Sequence, residues 1–263
     1  MTHTRQPATE RFTDRVGHYL RARPRYPQTL IPFFVREMGL RPAWRIADIG
    51  SGTGFFSEPF LANGNEVLGI EPNGPMREAA ERLLVNRFPN FHSRAGTAES
   101  TGLPDSSVDL VTAAQSFHWF DHPVARREFQ RILKPNGWVA LAWNNRRQDD
   151  ALSTGYEQVV LRHAIDHSAI RKRHEHAASE EVLNAFFGTR GAWKHGRLSN
   201  SQTMDFDALR DRLLSSSYIP LSSDARFKPM IAELQEIFTR HQHGGVVRFE
   251  YDTDIYYGRL STL

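Results

Sequence analysis

Three glycines at alternate positions in Asp48-Ile49-Gly50-Ser51-Gly52-Thr53-Gly54 follow an apolar run and interleave with small polar residues. Such a stretch suits a ligand cradle. Glycine reaches positive φ and leaves room beside the backbone, and the amides of a following helix point at whatever lies over the turn. A tight strand-to-helix connection is the plainer reading of the same residues. The spacing narrows the chemistry: a dinucleotide loop places its third glycine one position later, and here Phe55 holds that place. No G-x-x-x-x-G-K-[ST] string occurs either, so phosphate-bearing ligands are disfavoured. What remains is a ligand with an amino-acid part and a ribose, which calls for a carboxylate at the end of the next strand. Glu71 stands there, and its oxygens can accept hydrogen bonds from two ribose hydroxyls.

His118 follows the fourth expected strand and could act as acid, base or substrate-orienting group; the alternative is a histidine bonded into its loop beside Trp119 and Phe120. His163 and His167 are one helical turn apart but lack a third ligand, so no metal is expected. Zero cysteines exclude disulfides, thiolate zinc sites and a cysteine nucleophile. The cluster Arg171-Lys172-Arg173-His174 is either an attractor for acidic substrates or a solvated helix face.

The elements that must position these residues alternate. A helix over 28–37 leads into a strand ending near Ile49, a helix from Phe55 to Ala62 and a strand over 66–70. Then follow a helix over 76–86, a strand over 91–94 and a strand over 108–114. A helix over 123–133, a turn at Lys134-Pro135-Asn136-Gly137 and a strand over 138–143 complete the series. This rhythm predicts an α/β fold with a doubly wound, mostly parallel seven-stranded sheet, which binds ligands at the carboxyl ends of its strands. Four regions are expected: an N-terminal arm and first helix over the site (1–40), a ligand-binding core (41–144), a helical cap insertion without a strand (145–190), and strands and helices completing the sheet (191–263). In the last region, strands over 193–198 and 246–257 flank helices over 206–215 and 229–240, the final strand closing the sheet.

The 263 residues are 40% hydrophobic and 11% aromatic, enough for a sizeable core. No apolar run reaches the roughly 18 residues of a membrane span, and the polar start is not a secretory signal, so a soluble cytoplasmic protein is expected. Thirty-three Lys+Arg against 30 Asp+Glu give a net charge of +3, too weak and too intermixed to point to nucleic acid.

The chain resembles the class I S-adenosylmethionine (SAM) dependent methyltransferases, of the type 11 domain. The matching strings are Asp48 to Gly54, Glu71-Pro72, Thr97-Ala98-Glu99 with Leu103-Pro104, Val108-Asp109-Leu110-Val111 and Leu133 to Gly137. Tyr19 to Pro27, Ala114 to Phe120 and Ser217-Tyr218-Ile219-Pro220 look like the branch containing trans-aconitate methyltransferase-type enzymes of small molecules. The resemblance implies S-adenosyl-L-methionine as cofactor and a small-molecule acceptor, methylated at a carboxylate or hydroxyl oxygen. It also implies that Gly50, Ser51, Gly52, Thr53 and Gly54 pass under the methionine part, with Asp48 supporting the loop. Glu71 would hold the ribose, Pro72 and Met76 flank the adenine, and Ala98 and Glu99 meet its edge. Thr97 stands where an acidic residue is common. Gln115 and Ser116 would lie beside the sulfonium, and Tyr19 and Arg23 would fold over the site, unless the arm is simply packed. A nucleic-acid methyltransferase and a non-catalytic SAM-binding protein are the alternatives. The acceptor atom and the oligomeric state stay open.

Overall fold

The computed structural model describes residues 16–167, 170, 179–188 and 191–261. Its centre is a seven-stranded sheet of order β3-β2-β1-β4-β5-β7-β6. Strands β1 (Arg45–Ile49) and β2 (Glu66–Ile70) are buried from their second residue onward, as expected where helices cover both faces. They pair in parallel with each other, and β3 (Phe91–Arg94) and β4 (Val108–Ala114) extend the sheet on either side. Because the chain winds outward from β1 first one way and then the other, a crevice opens beyond the carboxyl ends of β1 and β4. Asp48, opposite Gly69 and Thr112 in register, sits at its floor.

The helices between these strands are α3 (Ser57–Ala62), α4 (Gly74–Leu84) and α5 (His122–Ile132). Asn73 caps α4 by accepting from the Met76 amide at 3.0 Å, and Asp121 caps α5 through the Val124 amide at 3.2 Å. A proline in each first turn loses no helical hydrogen bond. Both caps therefore fix strand-to-helix turns at the rim of the crevice.

Three expectations change. Strand β5 (Leu133–Arg146) begins before the Lys134 to Gly137 turn, which becomes an irregularity inside it: Leu133 pairs with Val108, Asn136 adopts φ 65°, and register resumes at Trp138 opposite Leu110. The final strand, β7 (Val247–Gly258), does not close the sheet. It inserts antiparallel between β5 and β6 (Trp193–Met204), since β7 buries apolar residues such as Phe249, Tyr251 and Ile255, whereas the polar, largely exposed β6 suits an edge. The stretch 145–190 is not one strandless cap, because β5 runs to Arg146 and, among the described residues, the helices Ala151–His163 and Glu180–Phe187 join different cores. Helix α6 (Ala151–His163) packs with α8 (Phe206–Leu214) and α9 (Phe227–His241) in a separate apolar cluster. Helix α7 (Glu180–Phe187) puts Leu183, Phe186 and Phe187 into the main sheet core beside Phe117 and Phe129. The basic cluster at 171–174 lies outside the described residues.

Ahead of the sheet, α1 (Val16–Ala22) and α2 (Leu30–Met38) form the arm. His18 binds Asp211 of α8 at 2.6 Å, Arg21 binds the same carboxylate, and Gln202 donates to the Ala22 carbonyl at 3.0 Å. The arm is thus pinned over the crevice. Among the described residues no helix is long and apolar enough to cross a membrane.

Candidate active site

The glycine loop is tied down by its own amides. Gly50 and Ser51 donate to the Ile70 carbonyl at 2.8 and 3.2 Å, and Gly54 donates to Ser51 at 2.9 Å. The Gly52 amide donates to Glu71 Oε2 at 2.9 Å, while the Asn73 amide reaches Oε1 at 2.9 Å. A loop that spends four amides internally cannot use them to hold phosphate. Loop and carboxylate form one unit. Burial pushes the Glu71 carboxyl above its usual range, against the pull of the Asn73 and Gly52 amides and Arg77. Each Glu71 oxygen keeps a further lone pair for a ligand hydroxyl.

The three glycines serve different ends. A Cβ on Gly50 would stand 2.6 Å from Ser116 Cβ, so this glycine lets the end of β4 close on β1. One on Gly54 would lie 2.3 Å from Leu84, so the third glycine serves loop-to-α4 packing and does not face the cavity. Only at Gly52, with φ 56°, would a Cβ meet open space. Beneath the loop, Asp48 accepts from Ser57 Oγ at 2.6 Å and Thr112 Oγ1 at 2.9 Å, linking β1, α3 and β4. Burial raises its carboxyl to about 6, and those two hydroxyls oppose the shift.

Over this floor the crevice holds two adjoining chambers that share Tyr19, Gly50, Gly52, Ala114 and Gln115. The outer, about 180 Å³, is bounded by Glu71, Pro72, Asn73 and Met76 on one side and Thr97, Ala98 and Glu99 on another. Ser116, Trp119 and Phe120 complete it. The inner, about 50 Å³, lies between Asp48, Ser51 and Thr53 below and Tyr19, Arg23 and Tyr26 of the arm above, with Asn144 and Arg212 at its far wall. Two buried polar atoms of residues that line the inner chamber, Thr53 Oγ1 and Arg212 Nε, have no hydrogen-bond partner among the described residues.

The comparisons with known proteins agree on the core. Residues 47–141 match the family model described as a methyltransferase domain. Residues 47–141 are a methyltransferase domain. An uncharacterized methyltransferase-like protein of Schizosaccharomyces pombe is 38% identical over 136 residues, 51% of this chain and 52% of the relative. An uncharacterized methyltransferase of Mycobacterium bovis is 35% identical over 146 residues, 56% and 57% of the two chains. These matches span about half the length of the curated relatives. A protein of Anaeromyxobacter dehalogenans, solved as a candidate type II methyltransferase, aligns over 92% of this chain and 99% of its own with a TM-score of 0.62 and 24% identity, a likeness of fold.

Most of the residues marked from sequence line the two chambers, Tyr19 and Arg23 from the arm outside the matched domain; Gly54 and His118 do not. His118 lies on a short 3-10 turn (Phe117–Trp119), its ring against Trp119, while Ser116, Trp119 and Phe120 line the cavity on either side of it. A role as acid or base toward a ligand in the cleft is therefore not what its placement offers. Ser116 turns its hydroxyl to the Ile49 carbonyl at 2.8 Å and presents its flank to the chamber. Gln115, at φ 60°, sits where β4 leaves the sheet and donates to the Asn144 carbonyl at 3.3 Å. The Thr97 loop is held from behind: the Thr101 amide and hydroxyl donate to Glu128 at 2.8 and 2.5 Å. Arg131 in turn holds the Glu128 carboxyl down to about 2.

Sequence reasoning missed Asn73, Asn144 and Arg212 as wall residues and gave Trp119 and Phe120 no role of their own at the cleft. Asn73 had a signal in its N-cap position before Pro75. Asn144 and Arg212 had none, since only the insertion of β7 and the docking of α8 bring their segments to the crevice.

Proposed function

We propose that the protein transfers a methyl group from S-adenosyl-L-methionine to an oxygen, carboxylate or hydroxyl, of a small-molecule acceptor in the cytoplasm. The observation that carries this reading is the Glu71 carboxylate, buried between the glycine loop and the outer chamber with a lone pair spare on each oxygen. A bare turn would not need it. The residues present fit the cofactor. Glu71 would take the ribose hydroxyls, Pro72, Met76 and Ala98 would flank the adenine, and Glu99 and Thr97 would meet its edge. The methionine end would lie over Gly52, where there is open space, toward the unpartnered Thr53 hydroxyl.

When bound, the cofactor supplies a methyl group on a positively charged sulfur. The protein's part is to align donor and acceptor and to exclude water. Methyl transfer is an in-line displacement, so orientation can supply much of the rate enhancement. Tyr19 and the arm roof the cleft, Trp119 and Phe120 present apolar faces, and Gln115 and Asn144 mark the ends of β4 and β5 where an acceptor would meet the methyl group. A carboxylate acceptor needs no strong base, which suits walls whose one inner carboxylate, Asp48, already holds two hydroxyls.

The chambers are small and recessed, which supports a small molecule of the kind the trans-aconitate branch uses over a nucleic acid. Incubation with methyl-labelled SAM and a metabolite mixture should release S-adenosylhomocysteine above background and label a small product. Release that occurs only with added RNA or DNA would contradict the small-molecule reading.

A further inference from the structure

The cleft is electrically divided. The outer chamber presents two carboxylates, Glu71 and Glu99, and no cation among its described walls, whereas the inner presents the guanidinium groups of Arg23 and Arg212. Arg212 is the unusual one. It is 3% exposed, its surroundings include the phenols of Tyr156, Tyr218 and Tyr251, and its Nε has no hydrogen-bond partner among the described residues. Its chain neighbour Asp211 turns the other way, to His18 and Arg21. The carboxylate that lines the same chamber, Asp48, is engaged by Ser57 and Thr112.

A buried guanidinium facing phenols rather than a carboxylate is costly to keep, because its charge is desolvated without a counter-ion. The Tyr251 phenol accepts a hydrogen bond from the guanidinium but brings no full negative charge to it. A planar donor at a cavity wall, with an N–H left over, is the arrangement that recognises a carboxylate. We propose that Arg212 anchors a carboxylate of a ligand in the inner chamber. This rests on the methyltransferase reading for its two sources, the methionine end of the cofactor or the methyl acceptor.

Calorimetry on the wild type and on Arg212→Met separates the sources. The probes are S-adenosylhomocysteine, 5′-methylthioadenosine, which lacks the amino-acid part, and benzoate, glutarate and citrate added over saturating S-adenosylhomocysteine. If the cofactor carboxylate is the partner, the variant loses roughly tenfold to a hundredfold in S-adenosylhomocysteine affinity and nothing with 5′-methylthioadenosine. If the acceptor is the partner, S-adenosylhomocysteine binding is unchanged, and at least one carboxylate binds the wild type but not the variant. Unchanged S-adenosylhomocysteine affinity together with no Arg212-dependent carboxylate binding overturns the proposal. Should Arg212→Met fail to fold, the wild type still decides: each carboxylate is compared with its methyl ester, and S-adenosylhomocysteine with 5′-methylthioadenosine, and equal affinity in every pair overturns the anchor. Failure of both adenosine probes to bind the folded wild type is a different result, against the cofactor reading itself.

Discussion

Asp48 and the glycines above it separate stability from ligand binding at the scale of single residues. The Asp48 carboxyl titrates near 6 in the fold, above the ~3.9 of an unfolded chain. Between those values the folded state holds the extra proton, so this group's contribution falls as pH rises and its cost is fully expressed above pH ~6. Relative to wild type, Asp48→Asn should be favoured more at pH 7 than at pH 4, by up to about 3 kcal/mol. Denaturant melts at the two pH values check this, and parallel curves would contradict it. The glycines give a second contrast. Gly54→Ala, with φ 80° and Leu84 2.3 Å from the new Cβ, should cost about 2–4 kcal/mol of stability. Gly52→Ala meets only open space, so it should cost about 1–2 kcal/mol for its φ while weakening S-adenosylhomocysteine binding by at least about tenfold. Melting and calorimetry on both variants would refute the assignment if binding loss tracked stability loss alone.

At the scale of elements, α5 and α1 hold walls of the cleft without touching its centre. Glu128 of α5 fixes the loop that carries Thr97 and Ala98, and its carboxyl, held down to about 2 first by the Arg131 hydrogen bonds, lends stability above the unfolded pKa that disappears as pH falls toward 2. Glu128→Gln should cost about 1–2 kcal/mol at pH 7, a figure kept low because Arg131 is partly exposed, and the difference from wild type should vanish near pH 2. Acid titration followed by near-UV circular dichroism measures it. Asp211→Ala should release α1 and speed hydrogen exchange there, with a small change in melting temperature, since the ion pairs it removes are partly exposed. Unaltered exchange in residues 16–22 would show that the arm is held by other contacts.

Over the whole molecule, what the sequence displayed was what short-range physics determines. The runs 45–49, 66–70 and 108–114 read as strands because each is mostly apolar, short and closed by turn residues, and Glu71 was visible because it ends one of them. Hidden from sequence were features set by long-range pairing: β7 inserting between β5 and β6, the helices of 145–190 dividing between two cores, and Arg212 arriving at the inner chamber from a distant helix. At Gly54 the sequence was ambiguous, because a glycine needed for packing against Leu84 looks the same in sequence as one needed for a ligand. In the proposed function the glycine loop and Glu71 form the site for the SAM nucleoside. Calorimetry with S-adenosylhomocysteine tests this most directly. It should give a micromolar dissociation constant for the wild type, about −8 kcal/mol, and a loss of at least about tenfold in Glu71→Ala. No binding heat from the folded wild type, or equal affinity in the variant, would contradict it.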